Sequence, residues 1–518
     1  MILYHLAKQV TLHTEPNGGS LFISHPQRII KLSSGGVVAL GQLCGQDQAL
    51  VSGIDPRIKE FAVNLENQGV IVRQFPPMSE ELLPFVSIVI PTYDRPQKLI
   101  SCLNSLLTLD YPIDKLEIII VDDASPIAID LTNLINQTDQ EYLINPTSQA
   151  DKTDQIKGVT EIRLIRLVVN KGPGEARNHA VQAARGEIIA FLDDDCLVDK
   201  DWLRALVPCF QYPDVAIVGG CVEAADLTNS LGQYEQGQSP LFMGEFQRKV
   251  RKGSAVSYLP TCNLLIRKTN FLALGGFDPN LRLGEDVDLC WRVLDSGANI
   301  YYLPAGVVYH DHRARLLSFL KRRYNYGQSE AKLQGKHRQE KRQLSLFPGH
   351  GYLMAITIIT TFLAGLQFGT VKGLFFGIVV LFFLGFLNLL GQVALSRYRT
   401  KAAGYSLPFS QVWRATRRAH NSSLYIYCQH FSRYYSIVPT ILVLPFFSPL
   451  FLLLLFIHSW PAVVDYTLKR PAVAPIYFIL YYSLENYFYQ AGVLNGCWQE
   501  HNWRPLVMDL TNVKGVGR

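Results

Sequence analysis

Between residues 85 and 312 the chain alternates short apolar runs with amphipathic stretches. The apolar runs are rich in Val, Ile and Leu and have the length of strands that are buried on both faces. They are FVSIVI, LEIIIV, IRLIRLVV and EIIAFL, and the stretches between them include QKLISCLNSLLTL and GEARNHAVQAA, which have helical spacing. This pattern predicts an α/β domain with a mostly parallel sheet and helices on both sides. Ligands of such domains bind beyond the carboxyl ends of the strands.

The pattern before this region predicts a small separate domain within residues 1–76. Short strands lead to a predicted turn at Gly35-Gly36 and a first helix. A second helix is predicted to begin at Pro56 and to end by Gly69, because proline favours the first helical turn and glycine the end. QFPPMSEELLP (74–84) has the composition of a linker, and the polar segment 126–160 is predicted to be a solvated insertion.

Beyond residue 351 the chain is predicted to enter a membrane. The stretches 352–369 and 373–395 are long and apolar enough to span a bilayer. A third stretch, 437–457, contains three prolines that predict kinks, and 473–492 carries Glu485, which favours an interfacial position. We therefore expect a helical membrane region over 350–495 with two to four spanning helices.

The distribution of charge supports this division of the chain. Residues 396–436 carry seven Lys and Arg and no acidic residue, although the net charge of the whole chain is only +6. Nucleic acid is one possible partner of basic segments, but these flank apolar runs and fit cytoplasmic loops better. The prediction is a multi-pass inner-membrane protein whose soluble domain faces the cytoplasm and binds no nucleic acid. Nine scattered cysteines without a C-x-x-C pair argue against a structural zinc site and a disulfide framework.

Two acidic clusters directly follow predicted strands, and a third lies at the start of a predicted helix. They are Asp122-Asp123 after IIIV, the run Asp193-Asp194-Asp195 after IIAFL, and Glu285-Asp286 at the start of a helix. Each has a structural explanation by itself: a turn cap, a solvated loop, or complementarity to the helix dipole. Together at strand ends they favour a hard cation, Mg²⁺ or Mn²⁺, shared with a phosphate group.

Several motifs, in this order, resemble the family 2 glycosyltransferases of GT-A fold over residues 85–330. They are VSIVIPTYDRP, IIIVDDAS, NKGPGEARNHA, GEIIAFLDDDC, TCNLLIRKTNFLALGGFD and GEDVDLCWR. The resemblance implies that Pro91 and Tyr93 border the base of a nucleotide-sugar donor and that Asp123 accepts a hydrogen bond from a pyrimidine ring. It also implies that Arg177 lies on the nucleotide side.

The same resemblance implies a metal site and a base. Asp193 matches the residue that lies towards the ribose and the metal, and Asp195 matches a direct metal ligand. His310 is favoured over His312 as the histidine that completes the metal shell. Asp286 matches the general base of an inverting, metal-dependent transfer from a nucleotide-diphosphate donor, with a UDP-sugar favoured.

A narrower resemblance concerns two segments that follow these motifs and the N-terminal domain. LLSFLKRRYNYGQSEA and NYFYQAGVLNGCWQEHNWRPL resemble segments of the membrane glycosyltransferases of the mycofactocin system, and Q-x-x-R-W, a signature of processive synthases, is absent. The N-terminal domain is similar to their PqqD-like, winged-helix-like α+β recognition element. The acceptor implied is a ribosomal-peptide-derived redox cofactor.

Three other functions remain open from the sequence. A membrane glycosyltransferase could act on a lipid or a cell-surface polysaccharide, but such an acceptor would not require the N-terminal domain. A non-catalytic membrane adaptor or transporter would not require the metal and base positions, and no apolar span carries paired charges that suggest a conducting pathway. A metal-dependent phosphatase or nuclease would not explain the order of the acidic motifs.

Overall fold

A computed structural model of the chain describes residues 3–8, 10–15, 18–24, 27–44, 55–130, 132, 161–254, 256–312, 315–340, 343–346, 349–402, 408–443 and 449–512. The chain divides into two compact units. The first consists of Val72–Phe319 with the short pieces Met1–Tyr4 and Pro471–Val473, and the second of His5–Ile71, Leu320–Arg470 and Ala474–Arg518. Most of the predicted polar insertion 126–160 lies outside the described residues.

The N-terminal segment combines a small antiparallel sheet with two helices. Its elements are β1 (Leu3–Leu6), β2 (Val10–Glu15), β3 (Gly18–Ser24), β4 (Gln27–Ser33), α1 (Ser34–Cys44), α2 (Pro56–Asn67) and β5 (Ile71–Gln74). β3 pairs with β2 and β4, and α1 packs against β3 and β4. The second helix begins at Pro56 and is followed by Gly69 in the left-handed region, as predicted. The turn predicted at Gly35-Gly36 is wrong, because both glycines lie in the first turn of α1.

The α/β unit is built around an eight-stranded sheet. Its strands are β6 (Val86–Thr92), β7 (Leu116–Asp122), β8 (Glu161–Arg166), β9 (Ile188–Phe191), β11 (Val215–Gly219), β13 (Arg248–Lys249), β14 (Leu264–Arg267) and β15 (Asn299–Tyr302), and a second sheet contains β10 (Cys196–Val198), β12 (Val222–Ala224) and β16 (Val308–His310). Its helices are α3 (Pro96–Leu106), α4 (Pro173–Ala183), α5 (Trp202–Leu206), α6 (Ser230–Gln238), α7 (Lys268–Ala273) and α8 (Glu285–Asp295).

The strand order explains which predictions hold. The large sheet runs β13-β15-β11-β14-β9-β6-β7-β8, and the four runs identified from the sequence form its parallel part, β9-β6-β7-β8. β14 is antiparallel to both of its neighbours, so the other half of the sheet is mixed rather than parallel. The sheet with helices on its faces confirms the predicted α/β class.

Both faces of the large sheet are buried, as the continuous apolar runs predict. Ile88 and Ile90 of β6 pack in the core on one face with residues of α3, whereas Val89 packs on the other face with residues of α4. Successive side chains of a strand point to opposite faces, so a strand that is covered on both sides needs apolar residues at every position.

The predicted linker 74–84 is packed against the α/β unit. The guanidinium of Arg73, which is 2% exposed, donates to both carboxylate oxygens of Asp214 at 2.7 and 3.0 Å. It also lies 4.1 Å from the centroid of the Tyr212 ring. Phe75 contacts the edge of Tyr301 at a centroid distance of 5.1 Å. The end of β5 and the residues just after it are therefore held by an ion pair of a buried guanidinium and by aromatic contacts.

The C-terminal part is helical apart from a short parallel pair of strands. Its elements are α9 (Leu316–Lys336), β17 (Gln343–Leu346), α10 (His350–Phe368), α11 (Thr370–Ala402), α12 (Phe409–Tyr434), α13 (Ile437–Val443), α14 (Pro449–Lys469), α15 (Pro475–Gln499) and β18 (Asp509–Asn512). The basic stretch 396–436, predicted to be a loop, is mostly helical, because α12 occupies 409–434.

Among the described residues, one helix segment is long and apolar enough to cross a membrane, Phe375–Ala402. The further spans predicted from the sequence remain predictions. Two ion pairs involve the C-terminal helices: Glu485 of α15 lies 3.4 Å from the Nε of Arg323, and Asp465 of α14 lies 3.9 Å from the Nζ of Lys469. Arg323, Asp465 and Lys469 lie outside the apolar stretches that were predicted to span a membrane, so neither pair has both partners in such a stretch.

Candidate active site at the carboxyl edge of the sheet

The parallel strands β6, β7 and β9 deliver their following residues to one edge of the sheet. Pro91 is buried within β6, and Tyr93, just after it, is 45% exposed. Asp123 follows β7, and the carboxylate run follows β9 by one residue. The carboxyl ends of neighbouring parallel strands meet at one edge, so these positions come together as the sequence predicted.

Asp123 shapes the loop before α4. Its buried carboxylate accepts hydrogen bonds from the backbone N–H groups of Lys171 and Gly172, both at 2.8 Å. Gly172 has a φ of +92°, a conformation that favours glycine, and α4 begins at the next residue, Pro173. Through these two hydrogen bonds, Asp123 holds the N-terminus of α4 at the edge of the sheet.

Arg177 of α4 connects two of the acidic clusters. It is 2% exposed, and its guanidinium pairs with Asp193 at 2.5 Å and with Glu285 at 3.2 Å. A buried cation requires such partners, since desolvation of an unpaired charge is costly. The sequence placed Arg177 on the nucleotide side but did not identify these two carboxylates as its partners.

The middle carboxylate of the run points into the protein. Asp194 accepts a hydrogen bond from the Thr92 hydroxyl at 2.8 Å and lies 3.3 Å from the guanidinium of Arg95. Burial, together with the neighbouring charge of Asp195, raises the pKa of Asp194 to about 6. The same guanidinium lies 3.0 Å from a carboxylate oxygen of Asp195, so Asp194 and Asp195 share Arg95 as a partner.

Asp195 and His310 lie next to each other. The Nε2 of His310 is 3.4 Å from the Asp195 carboxylate, and His310 is 1% exposed. Antiparallel pairing of β10 with β16 sets Cys196 opposite His310, and the N–H of Asp311 donates to the Asp195 carbonyl at 2.8 Å. His312, the alternative considered from the sequence, instead lies 3.2 Å from a carboxylate oxygen of Glu235.

Asp286 occupies the first turn of α8, which begins after Gly284 in the left-handed region. Its carboxylate accepts a hydrogen bond from the N–H of Val287 at 2.8 Å. Burial, followed by the negative charge of Glu285, raises the pKa of Asp286 above its ordinary value. The helix N-terminus favours the ionised form of the carboxyl group, so it acts against burial and against the charge of Glu285.

Comparison with known proteins bears on this geometry. Residues 84–325 match the family described as "Glycosyltransferase like family 2". The matched residues coincide with the motifs and with the α/β unit that brings the acidic clusters together. The α/β unit therefore resembles a family 2 glycosyltransferase domain.

Among similar proteins, a pre-mycofactocin glycosyltransferase of Mycobacterium tuberculosis is 29% identical over 323 residues, which is 62% of this chain and 61% of that protein. The chain thus spans about three fifths of the length of this relative. Glycosyltransferase AglE of Haloferax volcanii is 28% identical over 257 residues, 48% of this chain and 73% of that protein. The solved structure of a mannosyltransferase, PcManGT from Pyrobaculum calidifontis in complex with GDP-Man and Mn²⁺, aligns with a TM-score of 0.44 and 15% identity, over 82% and 90% of the two chains.

The donor atoms in the glycosyltransferase domain fit a divalent cation in part. A carboxylate oxygen of Asp195, a ring nitrogen of His310 and the sulfur of Cys196 all lie within 4.8 Å of one another. Carboxylate oxygen suits Mg²⁺ and Mn²⁺, and imidazole is a common metal ligand. Asp193 belongs instead to the Arg177 pair, so its role as a metal ligand remains a prediction.

Several residues that hold the site were not identified from the sequence. Asn263 is fully buried, donates to the carbonyls of Cys221 and Gly306, and accepts from the indole N–H of Trp202 at 2.8 Å. It thereby fixes the loop that leads into β16 and His310. The available signal for Asn263 was the segment TCN in TCNLLIRK, a short polar interruption before an apolar strand. The partners of Asn263 and of Arg95 could not be predicted, because they lie far from these residues along the sequence.

Proposed function

We propose that the protein is an inverting, metal-dependent glycosyltransferase that moves a sugar from a nucleotide-diphosphate donor to a peptide-derived acceptor. One observation carries this proposal: Arg177 joins Asp193 to the helix that bears Asp286, on the same sheet edge as Asp195 and His310. This arrangement brings a cation-binding pair, a buried guanidinium and a candidate base into one family 2 glycosyltransferase domain.

The donor is proposed to bind along the carboxyl edge of β6 and β7. The exposed ring of Tyr93 provides a surface for the base, and Pro91 is buried in the strand just before it. Each carboxylate oxygen of Asp123 accepts one backbone N–H and keeps a second lone pair, which suits the ring N–H of a pyrimidine such as uracil. Arg177 and the N-terminus of α4 are suited to the negative charge of a diphosphate.

Asp195 and His310 would hold Mg²⁺ or Mn²⁺, with Asp193 adjoining them. When bound, the cation supplies Lewis-acid stabilisation of the negative charge on a departing nucleoside diphosphate. His310 is buried and is held by strand pairing, which suits a ligand whose position must not change.

Asp286 is proposed to accept the proton of the acceptor hydroxyl. As the acceptor oxygen forms its bond to the anomeric carbon, the bond between that carbon and the diphosphate oxygen breaks, and the proton passes to the Asp286 carboxylate. A single displacement of this kind inverts the anomeric centre. The raised pKa of Asp286 suits this role, since a base is most effective when its pKa is near the working pH.

The acceptor and the location rest on other features. The similarity to a pre-mycofactocin glycosyltransferase and the separate N-terminal segment support a peptide-derived acceptor held by a PqqD-like domain. The apolar helix segment Phe375–Ala402 supports attachment to a membrane, and the basic stretch 396–436 supports a cytoplasmic position for the adjoining domain. The same helix keeps a lipid or polysaccharide acceptor as the second candidate.

The proposal is tested with a panel of nucleotide sugars on the purified, detergent-solubilised chain. We expect metal-dependent release of nucleoside diphosphate with one donor class, and loss of this release in excess chelator. The D195N variant should lose it as well, because an amide is a weaker ligand for a hard cation.

The matched control is D295N, which removes an exposed carboxylate of the same domain that pairs with Lys252. It should keep full activity. Unchanged turnover of the donor in excess chelator, or equal activity of D195N and D295N, would contradict the proposed metal site.

A further inference from the structure

The helix α11 is longer than a bilayer core requires. It has 33 residues, which corresponds to a length of about 50 Å at 1.5 Å per residue, whereas a hydrocarbon core is about 30 Å thick. Its first part exposes large apolar side chains, namely Phe375, Phe376, Phe382, Phe383 and Phe386. If this part lies in the bilayer, the last ten residues or so project beyond the core.

The projecting end of α11 is basic. Arg397, Arg399 and Lys401 are all exposed there, and Tyr398 between them is 73% exposed. Aromatic rings next to long cationic side chains are typical of the boundary between the apolar core and the headgroups, because each part of the side chain meets its preferred environment.

α12 returns alongside this end and adds to its charge. Val412 packs with Leu389 and Val393 in one buried cluster, and the guanidinium of Arg397 lies 5.6 Å from the centroid of the Phe409 ring. Because Arg414, Arg417 and Arg418 follow one another at helical spacing, they form a single exposed face of α12.

We propose that these six cations form a binding surface for acidic phospholipid headgroups. The surface, called the basic collar here, consists of Arg397, Arg399, Lys401, Arg414, Arg417 and Arg418. Residues 396–436 contain no Asp or Glu. The proposal rests on the membrane location proposed above, and it adds a lipid class to that location.

The position of the collar decides between lipid and nucleic acid, which share phosphate chemistry. Three cations of the collar lie at the end of α11, whose preceding turns expose apolar rings, and the exposed rings of Tyr398 and Phe409 lie beside them. Cations beside an anionic membrane surface each contribute to binding, and the effect decays within a Debye length. A lipid surface can therefore contact both the cations of the collar and the apolar rings of α11, whereas a nucleic acid would contact only the cations.

The test uses the purified full chain in a neutral detergent, titrated with short-chain phosphatidylglycerol or phosphatidylcholine while the thermal unfolding midpoint is followed. Phosphatidylglycerol should raise the midpoint at lower concentration than phosphatidylcholine, and salt should weaken its effect. The K401Q/R414Q/R417Q variant should need on the order of 10²-fold more phosphatidylglycerol, since each cation is worth about five-fold near an anionic surface.

Two control variants separate the collar from net charge and from folding. K8Q/K31Q/K59Q removes three exposed lysines of the N-terminal segment and should leave the half-saturating concentration unchanged. R414K/R417K keeps the charges and should behave as the parent chain. Equal responses to the two lipids, or an oligonucleotide that displaces phosphatidylglycerol, would overturn the headgroup site.

Failure of the membrane location gives a different result. In that case the chain would be recovered in the soluble fraction of lysed cells without detergent. A chain that stays with the membrane fraction but shows no preference for phosphatidylglycerol would overturn the collar alone.

Discussion

Asp286 lies where a helix N-terminus and a buried acidic neighbour act on its carboxyl group in opposite directions. The helix dipole favours the carboxylate, but burial and the charge of Glu285 raise the pKa of Asp286. Arg177 is shared between Glu285 and Asp193, so the two acidic clusters on either side of the site are electrostatically connected. The protonation state of the base is therefore set by neighbours that come from distant parts of the sequence.

The D286N variant should keep donor binding and lose turnover by roughly 10²–10⁴-fold, the usual contribution of a positioned general base. Because only the ionised carboxylate accepts a proton, the parent rate should rise with pH over a range above that of an ordinary aspartate, and then level off. D286N should lack this rising limb. Steady-state rates from acid to neutral pH, with donor affinity measured separately, provide the check.

D288N is an unsuitable control because Asp288 is buried and pairs with Arg292, whereas D295N again serves. A D286N variant with unchanged turnover and weakened donor affinity would assign Asp286 to donor binding instead.

Residue identities at strand ends could be predicted from the sequence, whereas their partners could not. A run such as DDD after IIAFL marks the sheet edge, because a strand that is buried on both faces cannot continue into consecutive charged side chains. Nothing in the run shows that Asp194 turns inward to Thr92 or that His310 comes to lie beside Asp195. The first contact depends on the pairing of β6 with β9 and the second on the pairing of β10 with β16, and each pairing brings together parts of the chain that are far apart in the sequence.

At the scale of elements, α9 and α15 pack with almost no space between their backbones. A Cβ added at Gly327 would lie 2.0 Å from the carbonyl oxygen of Tyr489, and one added at Gly492 would lie 1.9 Å from that of Tyr324. Glycine is therefore required for this approach, because any side chain would force the helices apart.

The G327A variant should lower the free energy of unfolding by about 1–3 kcal/mol, the usual cost of overpacking, even though alanine favours helix. G335A in the same helix is the control, since its nearest atom would be a side-chain nitrogen of Asn502 at 3.4 Å. Thermal unfolding in detergent should show a lower midpoint for G327A alone. Equal midpoints for the two variants would mean that the helices separate without cost.

Elements were predictable where a single period dominates the sequence. The four parallel strands follow from their apolar runs, and α2 follows from Pro56 and Gly69. The antiparallel direction of β14 was not predictable, because an apolar run has no direction. The basic stretch 396–436 was misjudged as a loop, because its charges were interpreted as a topology signal while the helical spacing of Val412 and Thr416 was not considered.

At the scale of the whole molecule, the role proposed for the N-terminal segment can be tested by removing residues 1–70. This cut keeps Arg73 and Phe75, which pack on the glycosyltransferase domain. We expect metal-dependent hydrolysis of the donor to persist, which also shows that the domain remains folded. Transfer to a peptide-derived acceptor should weaken mainly at low acceptor concentration and recover at high concentration.

The informative measurement is the dependence of transfer on acceptor concentration for the truncated and full chains. Coincident curves would mean that the N-terminal segment does not hold the acceptor, and would favour a lipid or polysaccharide acceptor. Loss of donor hydrolysis as well would show that the segment is needed for the fold of the domain.

The ion pair of Arg73 with Asp214 has a consequence for how far the N-terminal segment can move. A free linker of about ten residues would give a root-mean-square reach of roughly 16–19 Å, and its entropy would oppose any single position. Because Arg73 and Phe75 are held on the domain, the N-terminal segment does not have the reach of such a free linker. Delivery of a captured acceptor would then depend on a fixed point of attachment near residue 71, and extra residues inserted beyond Phe75 would lengthen the chain without lengthening the tether.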